Sequence, residues 1–179
     1  EDLRGKSILL TEPSGIGDAL QFFRFVPRLL EAGARVTFQG PPMIFALLSG
    51  FAPAVRFVAD AGGEAHDVQA VLWSLPHFLG IHDEGAVAMA APYLRADVAR
   101  AARWRHLLDP QALNIGICWQ GRPGRKIDAG RSIPLASFLP LATTPGVRLV
   151  SLQRGHGAEQ LASMPPGMEV AVPGAGFDT

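Results

Sequence analysis

The amino-acid sequence predicts an α/β protein built from two units of alternating parallel strands and helices, the second unit incomplete. Short apolar runs of strand type alternate with amphipathic segments throughout the first half of the chain. One of these runs, Ser7–Thr11, leads into a helical pattern through a turn that contains two glycines. A second alternation of the same kind begins near Ile115. Such alternation is typical of parallel sheets that are covered by helices.

The first unit is predicted to contain four strands. They are short apolar runs bounded by turn residues: Ser7–Thr11, Arg35–Gln39, Val55–Val58 and Val68–Trp73. The first helix starts near Asp18 and ends near Gly33, because glycine suits the residue that caps a helix C-terminus. Pro27 lies within this helix and is expected to kink or shorten it, because proline has no N–H. A short helix follows Pro41-Pro42.

The second unit is predicted to contain only about three strands, fewer than the usual doubly wound sheet has. These strands are Ile115–Trp119, Val147–Leu152 and Glu169–Val172. Asp97 is expected to cap the N-terminus of a helix that reaches about Leu108, ahead of these strands, and two more helices begin near Pro134 and Ala158. We therefore divide the chain into residues 1–111 and 112–179.

The composition excludes several classes of function. Lysine plus arginine and aspartate plus glutamate number 16 each, so no basic excess indicates a nucleic-acid partner. Cys118 is the one cysteine, which excludes a disulfide framework and a thiolate metal cluster. We find no membrane-spanning apolar stretch and no signal peptide, and we expect a soluble, cytoplasmic protein, with peripheral attachment to the inner membrane as an alternative. The first residue is not methionine, so we expect a segment of a longer protein.

The turn Gly15-Ile16-Gly17-Asp18 is the first candidate site. Glycines let a backbone turn tightly or approach a ligand closely, and the carboxyl ends of parallel strands are where such folds bind ligands. Asp18 admits two interpretations: it caps the helix that follows, or it acts as a catalytic base. On these residues alone the capping interpretation is favoured.

Spacing disfavours one nucleotide-binding motif and rules out another. A dinucleotide-binding fingerprint needs a third glycine, where this sequence has Leu20, and an acidic residue at the end of the next strand, where it has Gln39. Gly5-Lys6-Ser7 resembles the end of a P-loop, but it precedes a strand rather than a helix. The remaining interpretation of the glycine turn is a site of sugar transfer.

The segment after the fourth strand, Ser74-Leu75-Pro76-His77, is expected at the same edge of the sheet as the glycine turn. His77, His82 and Asp83 could suggest a metal site, but no third ligand follows from their spacing. We therefore interpret His77 as a loop histidine near a cleft.

The stretch Gly121–Ser132 is the second candidate site. It holds four basic residues and one acidic residue between a strand and a predicted helix N-terminus. Backbone N–H groups at such an N-terminus favour an anion, and arginine binds phosphate through paired hydrogen bonds. A solvated basic loop is an equally good interpretation of these residues alone.

The order and spacing of several short motifs resemble the glycosyltransferase-like region that follows tetratricopeptide repeats in many bacterial proteins. The motifs are Gly5-Lys6-Ser7-Ile8-Leu9-Leu10, Gly15-Ile16-Gly17-Asp18, Gln21-Phe22, Ser74-Leu75-Pro76, Pro92-Tyr93-Leu94, Trp119-Gln120-Gly121, Arg131-Ser132-Ile133-Pro134-Leu135 and Val150-Ser151-Leu152-Gln153. Wider relatives of that region are the heptosyltransferases of lipopolysaccharide synthesis and, more distantly, the protein O-GlcNAc transferases. The resemblance implies a GT-B fold, a nucleotide-diphosphate sugar as donor substrate, and no metal or other cofactor.

The resemblance also implies roles for individual residues. Gly17-Asp18 matches the glycine–aspartate pair that supplies the catalytic base of heptosyltransferases, and their lysine near the donor phosphates falls approximately at Arg131. The acceptor side would include Gly15, Gly17, Gln21 and His77. The donor side would include Trp119, Gly121, Arg122, Lys126, Arg131, Ser132, Gln153 and His156.

Two departures from the pattern limit the comparison. Pro13-Ser14 stand where these relatives usually have Glu-Gln, which alters the loop before the glycines. The family's nucleotide-holding block would lie beyond Thr179, so we expect the 179-residue segment to be inactive by itself and to self-associate through an uncovered sheet edge. The expected partners are a nucleotide-sugar donor, a glycan or protein acceptor and upstream tetratricopeptide repeats. The alternative function is a catalytically inactive binding module.

Overall fold

The computed structural model describes residues 2–13, 15–83, 92–121 and 130–174. The chain forms two compact units, Glu1–Asp97 and Val98–Thr179, each with its own parallel sheet. The predicted α/β class with two separate parallel sheets is therefore confirmed. Within the described ranges, no helix is both long and apolar enough to cross a membrane.

The first unit has a four-stranded parallel sheet in the order β3-β2-β1-β4. Its strands are β1 (Ser7–Thr11), β2 (Arg35–Gln39), β3 (Arg56–Val58) and β4 (Val68–Val71). Its helices are α1 (Ile16–Phe22), α2 (Val26–Glu31), α3 (Phe45–Phe51) and α4 (Leu75–Phe78), with 3₁₀ turns at Phe23–Phe25, Pro42–Ile44 and Leu72–Ser74. The predictions for β1 and β2 match residue for residue, whereas β3 and β4 are shorter than predicted.

Pro27 breaks the first helical run, as predicted. The run changes at Phe23–Phe25 to a 3₁₀ turn, and α2 then begins at Val26 with Pro27 as its second residue. Proline cannot donate to the Phe23 carbonyl, and the Val26 N–H binds that carbonyl instead. Gly33 ends α2 with φ 84°, and its N–H donates to the Leu30 carbonyl at 2.9 Å, so the predicted cap is also confirmed.

The two faces of the first sheet are covered differently. Ile8 and Leu10 of β1 pair in register with Val36 and Phe38 of β2, and all four belong to the core beneath the helices. Successive strand residues alternate between faces, so Leu9 and Thr37 belong to the opposite face, where they are also buried. The loop after β3 reaches this second face at Gln39, where the Ala61 N–H donates to Oε1 of the Gln39 side chain at 3.1 Å.

The second unit has a three-stranded parallel sheet in the order β5-β6-β7. The strands are β5 (Leu113–Ile117), β6 (Val147–Ser151) and β7 (Val170–Ala171). The helices are α5 (Val98–Arg103) and α6 (Leu139–Ala142), with 3₁₀ turns at Arg105–Leu107, Leu135–Phe138 and Ala158–Ser163. The helix predicted around 158–164 is thus a 3₁₀ turn, and the strand predicted at Ile115–Trp119 begins and ends two residues earlier.

The end of β5 and the division of the chain have identifiable causes. The Trp119 N–H donates to the side-chain oxygen of Gln153 instead of extending the sheet.

The units divide after Asp97, whereas the sequence suggested a division after residue 111. Arg148 Nε donates to the Leu107 carbonyl at 2.8 Å, which ties the segment after α5 to the second sheet. Helix α5 buries none of its residues and ends at Arg103, before the predicted end near Leu108.

Candidate functional site

The first candidate site lies at the carboxyl edge of the first sheet. The order β3-β2-β1-β4 means that the chain winds one way from β1 and then returns to pair β4 with the other side of β1. Ligands of open parallel sheets bind where the strand order reverses, which here is between β1 and β4. Thr11 and Val71 pair in register, so the turn after β1 and the turn after β4 leave the sheet side by side. Helix α1 also packs against the 72–74 turn.

The two glycines of this turn are not required by the protein's own fold. Gly15 is the N-cap of α1 with an extended backbone, φ 161° and ψ 173°, and neither Gly15 nor Gly17 has the left-handed conformation that favours glycine. A Cβ atom added to either residue would have no heavy atom within 4 Å. The absence of side chains therefore leaves room above the turn, which is what close approach of a ligand to the backbone requires.

Asp18 is the third residue of α1, and the N-cap position belongs to Gly15. The structure therefore does not support the interpretation of Asp18 as the capping residue, because no side chain caps this helix. The Asp18 side chain is partly exposed and has no hydrogen-bond partner within the described residues. Its negative charge is favourable in the first turn of a helix.

Gln21 and His77 are both exposed, Gln21 near the end of α1 and His77 within α4. The Gln21 carbonyl accepts a hydrogen bond from Arg24 Nε at 2.9 Å, and the Arg24 guanidinium lies 5.0 Å from the centre of the Tyr93 ring. Burial raises the pKa of Tyr93, and the positive charge of Arg24 partly opposes that shift. The His77 ring packs edge-on against Phe78, with 5.5 Å between the ring centres.

The second candidate site is the basic loop of the second unit. Arg122 and Lys126 lie outside the described residues. The base of the loop is closed by two hydrogen bonds, one from the Gly121 N–H to Ser132 Oγ at 3.0 Å and one from the Ile133 N–H to the Trp119 carbonyl at 3.0 Å. Arg131 is exposed next to this closure and makes no ion pair with another described residue.

Three glutamine side chains hold the carboxyl edge of the second sheet. Gln153 Oε1 accepts from the backbone N–H groups of Trp119 and Gln120, at 3.0 Å each. Gln153 Nε2 donates to the carbonyls of Gln120 and His156, at 2.9 and 2.7 Å. Gln160 Nε2 donates to Gln120 Oε1, and Gln160 Oε1 accepts from the Leu135 N–H. These amides connect the end of β5, the end of β6 and the starts of two helical turns.

This network assigns structural contacts to two predicted donor-side residues. Gln153 is buried and its amide already bonds four backbone groups. Trp119 is 2% exposed, and its indole Nε1–H donates to the Gly157 carbonyl at 3.0 Å. Both residues therefore position the loops around them, while Gly121, Arg131 and His156 remain exposed.

Sequence reasoning missed Gln160 altogether and noted Gln120 only as part of a motif. A polar residue that follows a strand or opens a helical turn carries no periodic signal, so its partner across 40 positions was not predictable. No group of three or more histidine, cysteine, aspartate or glutamate side chains arranged to hold a metal ion occurs in the described part of the chain.

Comparison with known proteins gives one distant similarity to report. Protein FlbA of Caulobacter vibrioides is 26% identical over an aligned length of 200 residues. The alignment covers 90% of this chain and 30% of FlbA. The chain therefore spans less than a third of the length of the relative that it matches. No family model and no solved structure matches the chain.

Proposed function

We propose that this chain is part of a glycosyltransferase of GT-B architecture, which transfers a sugar from a nucleotide-diphosphate donor to an acceptor hydroxyl with inversion. The first unit would hold the acceptor and the second unit the donor. One observation carries the proposal. An aspartate that has no hydrogen-bond partner among the described residues follows two glycines that the fold itself does not require, at the reversal point of a parallel sheet.

In the proposed reaction Asp18 is the general base. The acceptor hydroxyl oxygen forms a bond to the anomeric carbon while its proton passes to the Asp18 carboxylate. The bond between the anomeric carbon and the diphosphate oxygen breaks on the opposite face, and its electron pair leaves with the diphosphate. The exposed Arg131 and the backbone around Gly121 and Ser132 would stabilise that departing charge.

Replacement of the base tests the proposal. In the full-length protein, Asp18→Asn keeps the size and shape of the side chain but removes its basicity, and we expect transfer to fall by about 10²–10⁴-fold. The matched control is Glu31→Gln, an equally conservative change at an exposed carboxylate of α2, which should leave transfer unchanged. Product formation is followed with a radiolabelled nucleotide sugar, and folding by thermal melting. Normal transfer by Asp18→Asn together with a lowered melting temperature would make Asp18 a purely structural residue.

A binding module without catalysis is the second candidate function. The structural contacts of Trp119 and Gln153 favour it, because they reduce the predicted donor-side residues that are available to a ligand. The two candidates differ in their response to a donor. An enzyme releases nucleoside diphosphate from the donor in a manner that depends on Asp18, whereas a binding module releases none.

A further inference from the structure

A groove of about 410 Å³ lies at the carboxyl ends of β1, β2 and β3 in the first unit. It is separate from the Gly15–Asp18 turn, because none of those four residues lines it. Its volume is within the range of about 300–1,000 Å³ that is usual for small-molecule sites. The residues that line it include Thr11, Glu12 and Gln39 as polar groups and Pro41 and Pro42 as apolar ones.

The polar groups of the groove can both donate and accept hydrogen bonds. Thr11 and Gln39 pair in register at the ends of β1 and β2, so their side chains emerge next to each other on the same face. The Ala61 N–H occupies Oε1 of Gln39, which identifies the other branch of the amide as the Nε2 donor. Neither that Nε2 group nor the Thr11 hydroxyl hydrogen-bonds to another described residue. Glu12 adds carboxylate oxygens, which only accept.

The charge of the groove restricts its ligand. Among the described residues that line it, none is a lysine, arginine or histidine, and Glu12 is the one ionisable group. Among these described residues, the one charge that a phosphate or carboxylate ligand would meet is the like charge of Glu12. Neutral hydroxyl groups suit the site, because each can donate to Glu12 and accept from Thr11 or Gln39.

The backbone around the groove is restricted at three consecutive positions, Gly40, Pro41 and Pro42. Pro41 and Pro42 have restricted backbones and present ring carbons without N–H donors. Gly40 lies beneath the aromatic ring of Phe38, and a Cβ atom at residue 40 would lie 2.6 Å from Cε1 of that ring. The Gly40 N–H donates to the Val58 carbonyl at 3.1 Å, which fixes the turn to β3. Such backbone restrictions reduce the conformational entropy that binding costs.

We infer that this groove binds a hydroxyl-rich, uncharged ligand, such as one sugar ring of a glycan. The inference rests on the proposed function in one respect, because it assigns the ring to the acceptor of that reaction. It adds that Thr11, Glu12 and Gln39 select the acceptor, and that they do so at a place distinct from Asp18.

Binding is tested on the ¹⁵N-labelled chain with two neutral probes, the methyl glycosides of mannose and of N-acetylglucosamine. We expect a glycoside to shift the NMR signals of the Ala61 amide and the Gln39 side-chain amide. Thr11→Val removes one hydroxyl from a strand residue and should weaken binding by about five- to tenfold. The matched control is Thr37→Val, the same change on the same sheet face but outside the groove, and it should leave binding unchanged.

A cationic probe, butylammonium, tests whether the groove prefers a cation to the inferred neutral ligand. Gln39→Glu keeps an oxygen for the Ala61 N–H but replaces the Nε2 donor by a second carboxylate oxygen. This change should weaken glycoside binding and should strengthen binding of butylammonium. If the unmodified groove binds butylammonium and neither glycoside, or if Thr11→Val and Thr37→Val behave alike, the inference is wrong.

Transfer assays on the full-length protein distinguish failure of this inference from failure of the proposed function. Thr11→Val should raise KM for the acceptor more than it lowers kcat, whereas Asp18→Asn should mainly lower kcat. If glycosides bind in the groove but Asp18→Asn transfers normally, the assignment of the base fails and the groove remains. If Asp18→Asn loses transfer while Thr11→Val changes neither glycoside binding nor KM, only the groove inference fails.

Discussion

The two units share a topology but hold it together by different interactions. In both, the first three strands are parallel and lie in the order third, second, first, and the first pair matches over five residues. The first unit packs aromatic rings beneath its sheet, with Phe23 at 5.4 Å from Phe38 and 5.8 Å from Phe57 between ring centres. The second unit has a smaller core around Trp119 and fixes its sheet edge with glutamine amides. The same strand order is thus compatible with an aromatic core or with a smaller core and a network of side-chain amides.

The units also differ in the neighbours of their first strand. In the first unit β1 is central, with β2 on one side and β4 on the other. In the second unit β5 pairs with β6 alone within the described residues, and Leu113 at its start is 65% exposed. An open edge with exposed apolar side chains promotes pairing between chains, so the expectation of self-association belongs to the second unit.

The largest expected effect tests the aromatic core of the first unit. Phe23 is fully buried and contacts three other phenylalanine rings, so Phe23→Ala leaves a cavity as well as losing buried apolar area. We expect the free energy of unfolding to fall by about 3–5 kcal/mol, measured by urea denaturation. The control, Phe78→Ala, removes a ring that is 68% exposed and should change it by less than about 0.5 kcal/mol. Equal effects would mean that the aromatic cluster does not hold the unit.

The next effect tests the glutamine network of the second unit. Gln153→Leu keeps a similar volume but removes the partners of the Trp119 and Gln120 N–H groups. Each buried group left without a partner costs about 1–3 kcal/mol, so unfolding should require less urea. Gln111→Leu alters an exposed glutamine and serves as the control. A neutral result for Gln153→Leu would show that water replaces the amide and that apolar packing dominates here as well.

Two glycines of the first unit should respond to alanine substitution with changes in stability of opposite sign, both smaller than the effects above. Gly33 has φ 84° and a Cβ there would lie 3.1 Å from Arg4 Cγ, so Gly33→Ala should destabilise the protein by about 1–2 kcal/mol. Gly17 lies inside α1 with open space around it, so Gly17→Ala should stabilise the protein by up to about 1 kcal/mol. Melting temperatures of the two variants measure both effects. A destabilised Gly17→Ala would mean that the fold, rather than a ligand, requires this glycine.

The smallest effect concerns the pH dependence of the first unit. Hydrogen bonds from the Ser7 side chain and backbone, both 2.7 Å to Asp67 Oδ2, lower the pKa of Asp67. A carboxyl group whose pKa is lower in the folded state stabilises the fold above its unfolded pKa of about 4, and this contribution disappears as the pH falls through the folded value. Asp67→Asn should therefore reduce the difference between the urea midpoints at pH 7 and pH 3. An unchanged difference would assign the acid sensitivity to other carboxylates.

Local chemistry made part of the fold predictable. Ser7–Thr11 and Arg35–Gln39 were predicted to the residue because each is a short apolar run bounded by turn residues. The break at Pro27 and the cap at Gly33 follow from a missing N–H and from a left-handed backbone. These features depend on neighbours within a few positions, and a sequence displays such neighbours directly.

Long-range placement was decided only by the tertiary structure. The sequence singled out Gly15, Gly17 and Asp18, but the pairing of Thr11 with Val71 is what places them at the reversal point of the sheet. The resemblance grouped Trp119 and Gln153 with the donor site, and only the fold shows that both are buried and that their polar groups bond to the backbone. The register of a strand and the partner of an amide depend on residues some 30–60 positions apart, and no local pattern encodes which of several equivalent groups will meet.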